Sequence, residues 1–228
     1  MAEERILVIN YKSFPTSYGE KGLAIAKQAE KASKSTGVRT ILAVPFTEIR
    51  SIAERVELEV VAQHIDPIAE SAATGRITAK MISSAGGKGS LINHSERRML
   101  LSEIEDAVDM LRNAGLISIA CASTPRTAAA ISVLSPDMVA VEPPELIGTG
   151  ISVSRAKPEV ITASVELIRK AGSSRIPILV GAGVSFKDDA RRAVELGAAG
   201  VLVASAVMNA PDPGKKILEL SEGLLEKT

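Results

Sequence analysis

Apolar residues recur along this chain in two alternating rhythms. Short runs that are apolar at nearly every position read as strands covered on both faces: ILVIN (6–10), TILAV (40–44), LEVVAQ (58–63), SLINH (90–94), ISIACA (117–122), MVAVE (138–142), IPILVG (176–181) and GVLVAS (200–205). Between them lie longer stretches such as 20–35, 102–115, 157–172 and 186–198. These space apolar residues three and four apart with charges opposite, the pattern of helices lying on a core. Ser102 is placed to cap the run after it, and Gly37, Gly115, Gly172 and Gly197 stand where helices should stop. The intervals fit strand–helix units of about 30 residues with right-handed crossovers. Eight such units, with no Pro/Gly/Ser-rich linker or charge run between them, predict one domain over 1–228, a closed (β/α)8 barrel of below-average size. An open doubly wound sheet usually has fewer strands and a glycine-rich turn after the first. Here NYKSF follows strand one, and it contains no glycine.

Barrels of this kind work at the C-terminal ends of their strands, and polar residues break into the apolar runs at those ends. Strand one ends in Asn10 with Lys12 just beyond, strand three in Gln63 and His64, strand four in Asn93 and His94, and strand six in Glu142. Strand seven ends in Gly181-Ala182-Gly183 and strand eight in Ala204-Ser205. Each has a plain explanation alone: a solvated loop glutamate, a satisfied structural histidine, a surface lysine, an ordinary turn. Together they predict a base, an imidazole and a cation at one mouth, with His64 read as structural. A carboxylate ending an apolar run is normally costly, and Pro143-Pro144 then stiffen the exit from Glu142. The following ELIGTGISVS (145–154) reads as a lid in which Gly148 and Gly150 can approach an anion closely.

Composition narrows the field. Twenty-seven basic residues balance twenty-seven acidic ones with no basic block, which argues against nucleic acid or anionic membrane as partner. The opening MAEERILVIN has acids where a signal peptide needs bases, and no apolar run approaches the ~18 residues of a membrane span. The expectation is a soluble cytoplasmic protein. A single cysteine, Cys121, excludes an internal disulfide, suits a reducing compartment and reads as a small apolar filler. GGKGS (86–90) fails as a phosphate loop because glycine follows Lys88 and a strand follows the stretch. Two widely separated histidines and one cysteine offer no zinc spacing. No cofactor or metal is expected.

The segments NYK (10–12), NHSERR (93–98) and AVEPPELIGTG (140–150), with the later GAGVS and VLVASA, resemble the triosephosphate isomerase family across essentially the whole chain, most closely its short archaeal form. The resemblance implies aldose–ketose isomerisation of D-glyceraldehyde 3-phosphate and dihydroxyacetone phosphate, in glycolysis and gluconeogenesis. Glu142 would be the base, His94 the neutral electrophile and Lys12 the cation near enediolate and phosphate. Asn10, Tyr11, Ile147, Gly148, Gly183, Ala204 and Ser205 would contact substrate, and Glu96 would support the Lys12 side. Family members are at least dimers. ESAATGRIT (70–78) resembles the interdigitating loop, Thr74 entering a neighbour's active-site region, so a homodimer or homotetramer is implied. Departures are Asn93 for the commoner glycine, Gly183 for serine, Ala204-Ser205 for two glycines, and Tyr11 for tryptophan. They spare the proton-transfer groups and leave the phosphate to backbone N–H donors. The alternative is another (β/α)8 phosphate-ester enzyme, or a sugar-phosphate-binding protein without catalysis.

Overall fold

In the computed structural model, which describes residues 4–173 and 175–226, every predicted apolar run supplies a strand. In chain order they are β1 (Ile6–Asn10), β2 (Arg39–Val44), β3 (Glu59–Ala62), β4 (Gly89–Ile92), β5 (Ile117–Ala122), β6 (Met138–Val141), β7 (Ile178–Val180) and β8 (Gly200–Val203). All pair in parallel with their sequence neighbours, and β1 pairs with β8, Ile6 opposite Gly200, to close the barrel. The helices around it are α1 (Gly19–Thr36), α2 (Ile49–Ala53), α3 (Ala79–Ser84), α4 (Leu101–Asn113), α5 (Pro125–Ser132), α6 (Val153–Ala156), α7 (Pro158–Lys170), α8 (Lys187–Glu195), α9 (Ser205–Met208) and α10 (Pro213–Leu225). Residues 1–3, 174, 227 and 228, part of the expected domain span, lie outside the described residues. Among the described residues no helix is long and apolar enough to cross a membrane.

Strand alternation decides what each side chain meets. One set, including Ile6, Val8, Ile41, Ala43, Ala140 and Leu202, packs only against other strand residues and fills the barrel interior. The intervening set, including Leu7, Ile9, Leu42, Val139 and Val203, packs with helix residues such as Ile25, Ile104 and Ile161. Both faces are therefore apolar, which is why the strands read as unbroken runs.

The helix ends follow their chemistry, with one correction. Gly37 takes a left-handed conformation (φ 76°) and donates to the Ser33 carbonyl, ending α1. Ser102 does not cap α4, because it is already the second residue of the helix. The cap is Leu100, whose N–H is accepted by the Glu103 carboxylate reaching back (2.7 Å).

Candidate active site

Inward parity carried one step past the apolar interior builds the floor of the mouth. Ile6 and Val8 lead to Asn10, Val61 to Gln63, Leu91 to Asn93, and Met138 and Ala140 to Glu142. Asn10 is buried, and its Oδ1 accepts the Lys12 backbone N–H (3.0 Å) and Gln63 Nε2 (3.2 Å). Gln63 also donates to the Lys12 carbonyl (3.1 Å). Held from both ends, Lys12 takes a left-handed backbone conformation (φ 48°) that a non-glycine residue rarely adopts, and such strain gathers at functional sites. Tyr11 has the opposite parity. It is fully buried toward α1, its hydroxyl donating to the Gly22 carbonyl (3.2 Å), so the ring does not face the mouth where a substrate contact was expected.

The β4 end shows how an asparagine can stand where the resemblance led one to expect glycine. Asn93 sits at φ 58°, a conformation asparagine tolerates better than most residues. Its side chain then works as a brace, donating to the Cys121 carbonyl (2.9 Å) and accepting the Met99 N–H (2.9 Å). Next in sequence, His94 accepts the Glu96 N–H at Nδ1 (3.2 Å). In the neutral ring that leaves the proton on Nε2, and Nε2 faces Glu142 Oε2 at 3.4 Å. Glu96 turns the other way, its Oε1 2.9 Å from Lys12 Nζ.

Burial and charge set the protonation of this group. Burial, reinforced by the nearby Lys12 cation, pushes the His94 pKa down to about 4. Burial pushes Glu142 up to about 7 against the opposing pull of Lys12. Neutral imidazole and a carboxylate poised near neutrality are a donor and a base able to act at the same pH. Neither His94 Nε2 nor Glu142 Oε2 has an aligned hydrogen-bond partner among the described residues. Buried polar atoms in that condition are rare and mark sites of function. Gly181 makes the arrangement possible: a Cβ there would lie 2.6 Å from Glu142 Oε1. Its role was not assigned from sequence, although its parity with Leu179 pointed inward.

Beyond Glu142 the chain forms the expected lid, a 3-10 turn over Pro144–Leu146 followed by residues 147–152 and α6. Ile147 and Gly148 line a cleft of ≈ 80 Å³ together with Lys12, Gly183, Ala204 and Ser205. The structure thus brings Gly148, Gly183, Ala204 and Ser205 together but not Gly150, and among the described residues no cationic side chain but Lys12 lines the cleft. Gly183 is held at φ 71°, and a Cβ on it would stand 1.9 Å from the Ile151 carbonyl. What excludes a side chain there is the lid's own backbone. A second cleft of ≈ 290 Å³ lies across Lys12, lined by Asn10, Gln63, His64, His94 and Glu96 among others.

His64, read as structural, is buried with Nε2 3.5 Å from Asp66 Oδ1. Asp66 in turn accepts from the Ile77 N–H (2.8 Å) and Arg76 Nη1 (3.0 Å), pinning the base of a loop whose residues 70–76, Thr74 included, are exposed. Cys121 is buried in the barrel interior, as a small apolar filler should be. Among the described residues no group of three or more His, Cys, Asp and Glu side chains is placed to hold a metal ion.

Against known proteins, the model of the family described as triosephosphate isomerase matches residues 5–221. The protein of that name from Metallosphaera sedula is 44% identical over 220 residues, 96% of each chain. That from Methanocaldococcus jannaschii is 46% identical over 215 residues, 94% of this chain and 98% of its own. The one from Archaeoglobus fulgidus is 44% identical over 225 residues, 99% of this chain and all of its own. Among solved structures, the triosephosphate isomerase of Bartonella henselae superposes with a TM-score of 0.78 at 18% identity, over 98% of this chain and 100% of that one, a likeness of fold.

Proposed function

Since the chain belongs to the triosephosphate isomerase family and so interconverts D-glyceraldehyde 3-phosphate and dihydroxyacetone phosphate, we propose that Glu142, His94 and Lys12 carry the reaction. The observation behind this assignment is the 3.4 Å approach of His94 Nε2 to a buried carboxylate at the barrel mouth. The Glu142 carboxylate takes a proton from the carbon beside the carbonyl. As the C–H electrons move into the C–C bond, charge grows on the carbonyl oxygen, where His94 Nε2–H donates. Lys12 stabilises the same charge and the phosphate. A proton passes from the hydroxyl oxygen to the former carbonyl oxygen by way of His94, and the carbon-bound proton returns from Glu142 to the former carbonyl carbon, so aldose becomes ketose without net redox change. Asn10, Gln63 and Glu96 hold Lys12 in place. The phosphate lies in the cleft between Gly148, Gly183, Ala204 and Ser205, met by backbone N–H groups.

The mouth suits a base because rigid placement and exclusion of water both favour abstraction of a carbon-bound proton. Turnover of D-glyceraldehyde 3-phosphate by the pure protein, with kcat/KM followed against pH, tests the assignment. The rate should rise with pH through about 7 as Glu142 ionises, a limb additional to that of the substrate phosphate near ~6. Turnover with no such limb, or undiminished in Glu142→Gln, removes Glu142 from the mechanism.

Residues 1–228 make one domain in this reading, working in the cytoplasm without cofactor. The active form is a homo-oligomer, dimer or tetramer, joined through loop 70–78 with Thr74 at the contact. Supporting this are the exposed tip of that loop and its tethered base at Asp66.

A further inference from the structure

Apart from Asp66, which ties the base of loop 70–78, the reaction as described leaves unused a buried carboxylate, Asp189 in the first turn of α8, 2% exposed. Its Oδ2 accepts the backbone N–H groups of Ser185 and Phe186, each at 3.0 Å. Capping the helix takes that oxygen alone. Its Oδ1 lies 2.5 Å from Arg155 Nε, an approach that pairs the charges without aligning a hydrogen bond. Its backbone carbonyl accepts from Ser154 Oγ (3.1 Å). Ser154 and Arg155 belong to α6, the foot of the lid. Ser185 belongs to the β7–α8 loop, where its hydroxyl donates to the Gly183 carbonyl (3.0 Å). One residue therefore grips both segments that bound the phosphate cleft. They meet again where the Val153 N–H donates to the Ala182 carbonyl (3.1 Å) and Gly183 lies against Ile151.

The energetics favour a role beyond capping. A buried carboxylate is costly unless paired, and among the described residues Arg155 is the cation paired with it. The Arg155 side chain is 57% exposed, so the pair is anchored on the α8 side and open to water on the lid side. We propose that Asp189 is a positioning residue for the phosphate end of the substrate: through Arg155 and Ser154 it docks the lid foot on the β7–α8 loop and so shapes the cleft that receives the ester. The inference rests on the isomerase reading for its substrate, but not on the roles of Glu142, His94 or Lys12.

Arg155→Ala, at a mainly exposed side chain, and Asp189→Asn test it together with the conservative Arg155→Lys. KM for D-glyceraldehyde 3-phosphate and the Kd for inorganic phosphate, measured by calorimetry, should both rise roughly tenfold or more in Arg155→Ala and Asp189→Asn. The double variant should be no worse than the poorer single one. The slow turnover of D-glyceraldehyde, which has no phosphate to place, should stay within about twofold of wild type, and Arg155→Lys should recover most of the loss. Unchanged KM and Kd overturn the proposal, as does an equal loss on both substrates, which would mark Asp189 as a fold-maintaining residue only. If the wild type turned over neither substrate the isomerase reading would fail, while the calorimetric comparison would still decide the role of Asp189.

Discussion

In the role proposed for it, Glu142 works against the fold that holds it. An ordinary glutamate titrates near 4.5, and here burial raises the value to about 7. The raised value means that the protonated form stabilises the fold fully below pH 4.5, and that this contribution is lost as the pH climbs through 7. Glu142→Gln, neutral at every pH, should therefore abolish turnover yet raise Tm at pH 8 by roughly 7–14 °C, with little change at pH 4. A thermal scan at both pH values, alongside the assay, reads the two effects; an equal Tm change at each would contradict the assignment. His94 runs the opposite way. Its value, lowered from 6.5 to about 4, contributes stability above 6.5 that is lost as the pH falls through 4, and the ring stays neutral across the working range. His94→Ala should cut kcat by about 100-fold or more with little effect on KM, because its donor acts as charge develops. His64→Ala, removing a group beside Asp66, should be much milder in kcat; similar kcat losses in both would undo the distinction. At this scale the placement of Asn10, Lys12, His94 and Glu142 at one mouth was legible, since a polar group at or just past the end of an apolar run is an anomaly that needs a reason. Tyr11 was expected among the substrate contacts from the motif alone, and the pleat turns its side chain toward α1, its hydroxyl donating to the Gly22 carbonyl. Asp189 left no sequence signal beyond that of a helix cap, since its partners lie on another element.

Among the elements, the lid and the β7–α8 loop act as one surface. Gly183 needs a left-handed backbone, and the Ile151 carbonyl occupies the space of any side chain. Even Gly183→Ala should push the lid foot away, raising KM for the phosphate ester by about tenfold or more while leaving the fold cooperative. Ser205→Ala, which keeps its N–H, should be within about threefold of wild type. Steady-state kinetics on the two variants check the contrast, and equal effects would mean that the phosphate is not held where these loops meet. Sequence located all eight strands, yet several were drawn long at the C-terminal end, as with 58–63 against Glu59–Ala62 and 176–181 against Ile178–Val180. At the mouth the strands end while the inter-strand bonding runs one step further, Glu142 N–H donating to the Ala122 carbonyl (2.9 Å) and Gly181 N–H to the Val141 carbonyl (3.1 Å). The quoted helical patterns correspond to α1, α4, α7 and α8; α2, α6 and α9 are too short for a period of 3.6 residues to register.

For the whole molecule, closure of the sheet was legible from the count and spacing of the strand–helix units, and β1–β8 pairing completes it. Association is written less plainly, since an exposed loop looks the same in a sequence whether or not a partner covers it. Thr74→Arg should weaken subunit association and lower activity together, read by sedimentation and assay over a range of protein concentration. A monomeric variant with full activity would show that the contact does not support the site. Closure also gives the mouth a kind of reading frame. Asn10, Gln63 and Glu142 point into the mouth because each is an even number of positions from an interior residue of its own strand. Inserting one residue between Val139 and Ala140 would leave composition and charge almost untouched and turn the base toward the helices. Inserting two would restore its direction but lift it about 7 Å above its imidazole. A length change inside a strand would therefore disturb the mouth, whereas one in the loops above it leaves the strand-borne side chains in phase.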